Sequence, residues 1–311
     1  MFSYIVTIIL GVVQGFAGIF PVSDFAHQLY SAELSNWKVI TAQAQADSSH
    51  FLILVSMSHI TIGLMVGLYY RRLWAHLCNG MCNAIRFSKA RSSHNYSARL
   101  GQLILLSGCI AGIMTLLFEN MLRTLFGEVF FAIGFIIING IILLRGDRRT
   151  PQLAVSRTRN RKALAAVQHD TNARTLMYIA DHTSWSQAIR MGLIQVFALI
   201  PGISRTGLLM LSGLRSGLDH QNAATFALLT VSPSLIISGL IRLPEFLAAS
   251  TAPVRSYILA GAAGAGIAAL IATVLFNRFV RTRSLQPFGF YCVGLGMLML
   301  VLAIIRGSVQ R

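Results

Sequence analysis

The sequence predicts an all-α polytopic membrane protein, with six transmembrane helices plus two re-entrant helix-loop-helix hairpins in an inverted repeat. Three observations predict it. Apolar residues make up 55% of the 311 positions and charged residues only 12%, about half the charged share of a soluble domain. Apolar runs of membrane length recur along the chain. The connections between those runs alternate between basic and nearly uncharged.

The runs are Phe51–Tyr70, Leu100–Phe118, Glu128–Leu144, Asn222–Ile241, Ser256–Phe276 and Phe288–Ile305. Each is long enough to cross about 30 Å of hydrocarbon. Met1–Val13 is also apolar, but it has no basic leading region and no small-residue cleavage site, so it is expected to be retained. Lys and Arg number six in 71–99, eight in 145–187 and three in 277–287. The alternate connections hold only Lys38 in 22–50, Arg123 in 119–127 and none in 244–254. Basic loops stay inside, so 71–99 and 145–187 are expected to be mobile cytoplasmic connections, with room for short surface helices. Anionic headgroups are their expected partner. The net charge of +16 is not assigned to nucleic acid, because the basic stretches lack interleaved aromatics. Cys78 and Cys82 form a CxxxC pair with no further ligand at zinc spacing, and in a cytoplasmic connection they are expected to remain thiols.

A shift of 181 residues aligns Gly11–Ser23 with Gly192–Ser204 without a gap. Gly11, Gln14, Phe16, Ala17, Ile19 and Ser23 fall on Gly192, Gln195, Phe197, Ala198, Ile200 and Ser204. Three spans follow each copy, and an odd number of crossings turns the second copy upside down. That architecture binds ligands between broken helices near the membrane midplane. One membrane domain over 1–311 follows, with repeat one at 1–146 and repeat two at 188–311. Ile189–Ile200 runs only about twelve residues before Pro201, too few to span, so a hairpin that dips in and returns fits better. Phe2–Phe20 is open between a full span and the same re-entrant form, which symmetry favours.

The candidate chemistry lies at the two repeat tips. In Pro201-Gly-Ile-Ser-Arg-Thr-Gly207, proline stops one helix and Gly202 and Gly207 let a ligand approach the backbone. Ser204, Arg205 and Thr206 stand where the next helix starts, a favourable place for phosphate. The alternative is a capped helix whose Arg snorkels to the headgroups. Asp24 is the repeat mate of Arg205, and three roles are open to it: ion-pair partner of Arg205, ligand of Mg²⁺ or another divalent cation, or nucleophile. His27 lies three residues beyond it on the same helical face. His59 is read as a packing residue.

These motifs resemble those of the undecaprenyl-diphosphatase family, the bacitracin-resistance type of polyprenyl pyrophosphate phosphatase. The family's first motif is G-x-x-E-G-x-x-E-F-x-P-x-S-S-x-x-H, and its second is G-x-x-Q-x-x-A-x-x-P-G-x-S-R-S-G. Gly192–Gly207 matches the second, with Thr206 in place of Ser. Ala224–Leu240 and Ser284–Phe288 are also similar. In the first motif Pro21, Ser23 and His27 are kept, while Gln14, Gly18 and Asp24 replace two glutamates and a serine. The resemblance implies hydrolysis of undecaprenyl pyrophosphate in the bacterial inner membrane, recycling a lipid carrier for cell-wall synthesis. It implies His27 as general acid/base, with Asp24, Ser23 and Arg205 in the catalytic set. Gly202, Ser204, Thr206, Gly207, Gln14 and Gln195 would face the substrate, with Asp24 as the metal ligand. A homodimer is one open arrangement. The lost glutamates leave a second reading open, a non-hydrolytic polyprenyl-phosphate carrier or flippase of the same fold. A transporter for an unrelated small anion is a third.

Overall fold

Helices form nearly all of the ordered architecture, and no strand occurs among the described residues. A computed structural model describes residues 4–34, 50–86, 96–148 and 170–309. Residue 38 and the middle parts of both basic connections lie outside the described residues. Six helices are long and apolar enough to cross a membrane: His50–Tyr69, Tyr96–Leu122, Val129–Asp147, His220–Ile241, Ala249–Phe279 and Gln286–Ile305. Each coincides with one of the six apolar runs. The protein is a multi-pass membrane protein.

In chain order, α1 (Tyr4–Ile19) and α2 (Asp24–Leu34) form a helix-turn-helix unit. Helix α3 (His50–Tyr69) spans, and α4 (Arg71–Arg86) is a separate amphipathic helix. Helices α5 (Tyr96–Phe126) and α6 (Val129–Arg148) follow, then the short α7 (Thr171–His182). Helix α8 (Trp185–Ile194) tightens into a 3-10 turn over Gln195–Leu199 before α9 (Arg205–Arg215). Helix α10 (His220–Ile241), the one-turn α11 (Leu243–Leu247), α12 (Arg255–Phe279) and α13 (Gln286–Val309) complete the chain. Much of the basic stretch 71–99 is thus helical. Helix α4 seats Leu73, Leu77, Gly80 and Ala84 against its neighbours, chiefly α5.

Helix α1 has 16 residues, about 24 Å at the standard rise, short of a full crossing. Asp24 shifted by 181 becomes Arg205, and the two residues open α2 and α9. Side-chain caps fix several starts. Ser184 and Gln187 form a capping box on α8, and Ser204 and Asp219 cap α9 and α10. Each cap satisfies an amide that the helix itself leaves without a partner.

Lipid tails are as apolar as leucine, so helices associate here through close packing of small residues. Helix α1 lies along α12, where Cβ atoms at Gly11 and Gly15 would collide with the carbonyls of Gly261 and Ala265. Helix α8 lies on α5 in the same way, where a Cβ at Gly192 would lie 2.9 Å from the Ser107 carbonyl. Helices α3 and α10 cross reciprocally: a Cβ at Gly63 would lie 2.7 Å from the Ser232 carbonyl, and one at Gly239 would lie 2.5 Å from that of Ser56. Helices α6 and α13 meet at Gly140 and Gly289.

Candidate functional site

The two helix-turn-helix units touch at their tips. The Gly202 amide donates to Ser23 Oγ at 3.1 Å, and Thr206 Oγ1 donates to the Gly18 carbonyl at 2.9 Å. Asn139, in the middle of α6, joins both turns. Its Nδ2 donates to the Pro21 carbonyl at 3.1 Å, and its Oδ1 accepts from the Ser204 amide at 3.0 Å. Buried turn backbone needs such partners, because an unpaired amide or carbonyl there is costly.

Local backbone explains the residue types. Gly202 has φ +110 and a Cβ there would lie 2.6 Å from the Ile136 amide, so only glycine fits. Ser23 takes φ 66, which for a non-glycine residue costs about 1–3 kcal/mol. Its carbonyl and hydroxyl bonds to His27 and Gly202 hold it there. Ser204 Oγ accepts from the Gly207 amide at 3.2 Å. Gly207 packs a would-be Cβ 3.2 Å from Pro21, so it seats one tip against the other.

Asp24, His27 and Arg205 gather beside this junction. Asp24 Oδ1 accepts from the Phe25 amide at 2.9 Å, and Arg205 exerts a Coulombic attraction on the carboxylate. The direct side-chain partner of Asp24 is His59, whose Nε2 lies 2.9 Å from Oδ2. This corrects the packing role read for His59. The His59 side chain is 6% exposed and that of Asp24 24%, so the pair lies at the edge of the core with its carboxylate on the outer side. His59 Nδ1 is buried without a hydrogen-bond partner.

His27 is held from both sides. Its Nδ1 lies 2.6 Å from the Ser23 carbonyl and its Nε2 2.8 Å from Tyr291 Oη. A carbonyl only accepts, so Nδ1 carries the proton, and in the neutral ring Nε2 accepts from Tyr291. The two rings stack with centroids 5.7 Å apart. Tyr291 is itself exposed, so it connects His27 to the surface of the helical bundle.

Several residues expected to face substrate have internal partners. Gln14 Nε2 donates to the Val55 carbonyl at 2.9 Å, and its Oε1 accepts from Gln28 Nε2 at 2.9 Å. Gln195 is buried and donates to the Met191 carbonyl at 3.3 Å. The Thr206 hydroxyl proton and the Gly202 amide are engaged between the tips. Ser23 and Ser204 use their hydroxyl oxygens as acceptors, which leaves each hydroxyl proton to donate.

Sequence reasoning missed Asn139, His59, Tyr291 and Gln28. Asn139 and His59 carried a signal, since each interrupts an apolar span, where a polar group is costly unless it has a task. Tyr291 and Gln28 carried none.

A divalent cation needs several oxygen or nitrogen donors around it. Among the described residues no group of three or more His, Cys, Asp and Glu could hold one. Asp24 is the carboxylate at the tip junction, and His59 and Arg205 already act on it. The donor set present does not fit a resident metal ion.

The family model for bacitracin resistance protein BacA matches residues 7–298. The chain belongs to the BacA family. Among curated BacA-like relatives, undecaprenyl-diphosphatase 2 of Frankia alni is 30% identical, covering 95% of this chain and 96% of its own. Undecaprenyl-diphosphatase of Mycolicibacterium paratuberculosis is 28% identical over 98% of both chains. Undecaprenyl-diphosphatase 2 of Chromobacterium violaceum is 28% identical, covering 96% of this chain and 98% of its own. The family match takes in both tips, α3 with His59 and α13 with Tyr291.

Proposed function

We propose that this BacA-family protein hydrolyses undecaprenyl pyrophosphate to undecaprenyl phosphate and inorganic phosphate at the junction of its two tips. The meeting of the tips carries the reading, because it brings Asp24, His27 and Arg205 together beside two serine hydroxyls. The names of the relatives favour hydrolysis over the carrier reading. Water attacks the terminal phosphorus, the anhydride P–O bond breaks, and undecaprenyl phosphate leaves. Phosphoryl transfer asks the protein mainly for positioning and charge stabilisation. Arg205 neutralises the pyrophosphate, and Ser204 and Ser23 donate to its oxygens. The proton of the attacking water passes to Tyr291 Oη as the Tyr291 proton moves to His27 Nε2, and Asp24 orients that water. Gly202, Thr206 and Gly207 shape the tip, and Gln14 and Gln195 brace it from behind.

The architecture proposed is a pair of inverted repeats, 1–146 and 188–311, each with a re-entrant hairpin. Reciprocal contacts support it. Gly11 of α1 meets α12 of the other half as Gly192 of α8 meets α5. The α3–α10 crossing exchanges Ser56, Ile60 and Gly63 for Ser232, Ile236 and Gly239, a constant shift of 176 residues that a pseudo-two-fold axis produces. The protein would reside in the bacterial inner membrane, with its basic connections in the cytoplasm.

Purified protein in detergent should release inorganic phosphate from undecaprenyl pyrophosphate. Arg205→Gln should lower kcat/KM by about 10²–10³, and His27→Gln by about 10²–10⁴. Tight lipid binding without phosphate release would instead favour the carrier.

A further inference from the structure

The charges gathered at the tips decide how a polyanionic substrate can be held. A polyanionic pyrophosphate in a low-dielectric pocket needs positive charge, and a site rich in carboxylates can supply it only by binding metal. Here the balance runs the other way. Among the described residues the junction holds one carboxylate, Asp24, bonded to His59 and facing the Arg205 guanidinium. Position 14 is an amide tied to Val55 and Gln28. Position 18 is glycine, with Ile62 as its nearest neighbour at 3.5 Å from a would-be Cβ.

The His59–Asp24 bond decides what the carboxylate can do. At 2.9 Å from Oδ2, the imidazole takes up an acceptor site of the carboxylate, the Phe25 amide takes up one on Oδ1, and Arg205 adds like-charge repulsion against a cation. His59 comes from α3 and Asp24 from the first turn of α2, so the bond also fixes α2 against a spanning helix. We propose that the Asp24–His59 pair keeps a divalent cation out of the junction, so that this protein binds and cleaves lipid pyrophosphate without metal. His59 is a positioning residue that keeps Asp24 from becoming a metal ligand.

The inference rests on the hydrolase reading, and two measurements separate their failures. Phosphate release from undecaprenyl pyrophosphate by the full-length protein should change less than about twofold between EDTA and millimolar Mg²⁺. A loss of about tenfold or more in EDTA, restored by Mg²⁺, overturns the proposal. If no phosphate is released under any condition, the hydrolase reading fails by itself. Binding of farnesyl methylenediphosphonate, which cannot be hydrolysed, then reads the proposal: equal affinity with and without Mg²⁺ supports it, and tightening by Mg²⁺ overturns it. His59→Asn tests the pair directly. With its partner gone, Asp24 becomes available to a cation, so the variant should acquire a stimulation by Mg²⁺ of about fivefold or more that the parent lacks. A merely structural role would lower activity without creating that response, and a folded His59→Asn protein indifferent to Mg²⁺ counts against the pair. Should the single variant fail to fold, the double variant Asp24→Ser with His59→Ser strands no charge. Cation-independent binding of the analogue by it supports the inference, and a Mg²⁺ requirement overturns it.

Discussion

Gln14 shows why one atom matters at this depth. Its Nε2 donates to the Val55 carbonyl while its Oε1 accepts from Gln28. A carboxylate has no N–H to give. An ionised Gln14→Glu would set a buried oxygen against the Val55 carbonyl with no proton between them, a cost of about 1–3 kcal/mol and more for the charge. Restoring both motif glutamates, Gln14→Glu with Gly18→Glu, is therefore expected to lower thermal stability in detergent without raising phosphate release. A double variant that melts no lower and hydrolyses faster would show that the amide network re-forms around the acid. The motif pattern alone points the other way, since it reveals which residue type is missing and not which carbonyl the replacement has bonded. The same limit hid the task of His59. Its partner is 35 residues away in sequence, and a lone histidine in an apolar run says nothing about whom it faces. Asp24, His27 and Arg205 were legible because each stands beside a proline-broken tip, where an expensive charge requires a reason.

Among the helices, close approach by small residues does the work that burial does in water. The Gly11 face of α1 touches the α12 backbone, whereas a Cβ at Gly18 on the same helix would meet only Ile62, at 3.5 Å. Gly11→Ala should push α1 away from α12 and displace the tip that carries Ser23 and Asp24. Overpacking of this kind typically costs about 1–3 kcal/mol. Gly18→Ala fits the space available and should melt within about a degree of the parent, as a change inside ±0.5 kcal/mol would. Equal melting temperatures for the two variants in one detergent would show that the α1–α12 contact is not tight. The spans themselves were legible because length and apolarity alone set a crossing. The extra helix α4 was not. Its mean polarity resembles a loop, and only the spacing of Leu73, Leu77, Gly80 and Ala84 marks the face that packs on α5.

For the molecule as a whole, orientation follows from charge, and the protein carries its own reporters of it. Helix α4 holds Cys78 and Cys82, both exposed free thiols, between Arg71, Arg72 and Arg86 at its ends. If basic connections stay in the cytoplasm, α3 ends inside, α5 leaves and α6 returns. By the same count α10 emerges at the stretch Leu243–Val254, and α12 goes back in. A membrane-impermeant maleimide added to intact cells should then leave Cys78 and Cys82 unmodified and label them only after permeabilisation. Cys109 is exposed but lies within a spanning helix, and Cys292 is buried, so neither competes strongly for a polar reagent. Ser250, exposed in the turn after α11, supplies the opposite face. In a background with Cys78→Ser and Cys82→Ser, Ser250→Cys should label from outside without permeabilisation. The two results must be opposite, because α10 alone separates the basic face from that turn. Labelling of the native thiols from outside, with Ser250→Cys protected, would invert the whole molecule and place the basic helices on the outer surface. Labelling of both from the same side would break the count of crossings and with it the inverted repeat.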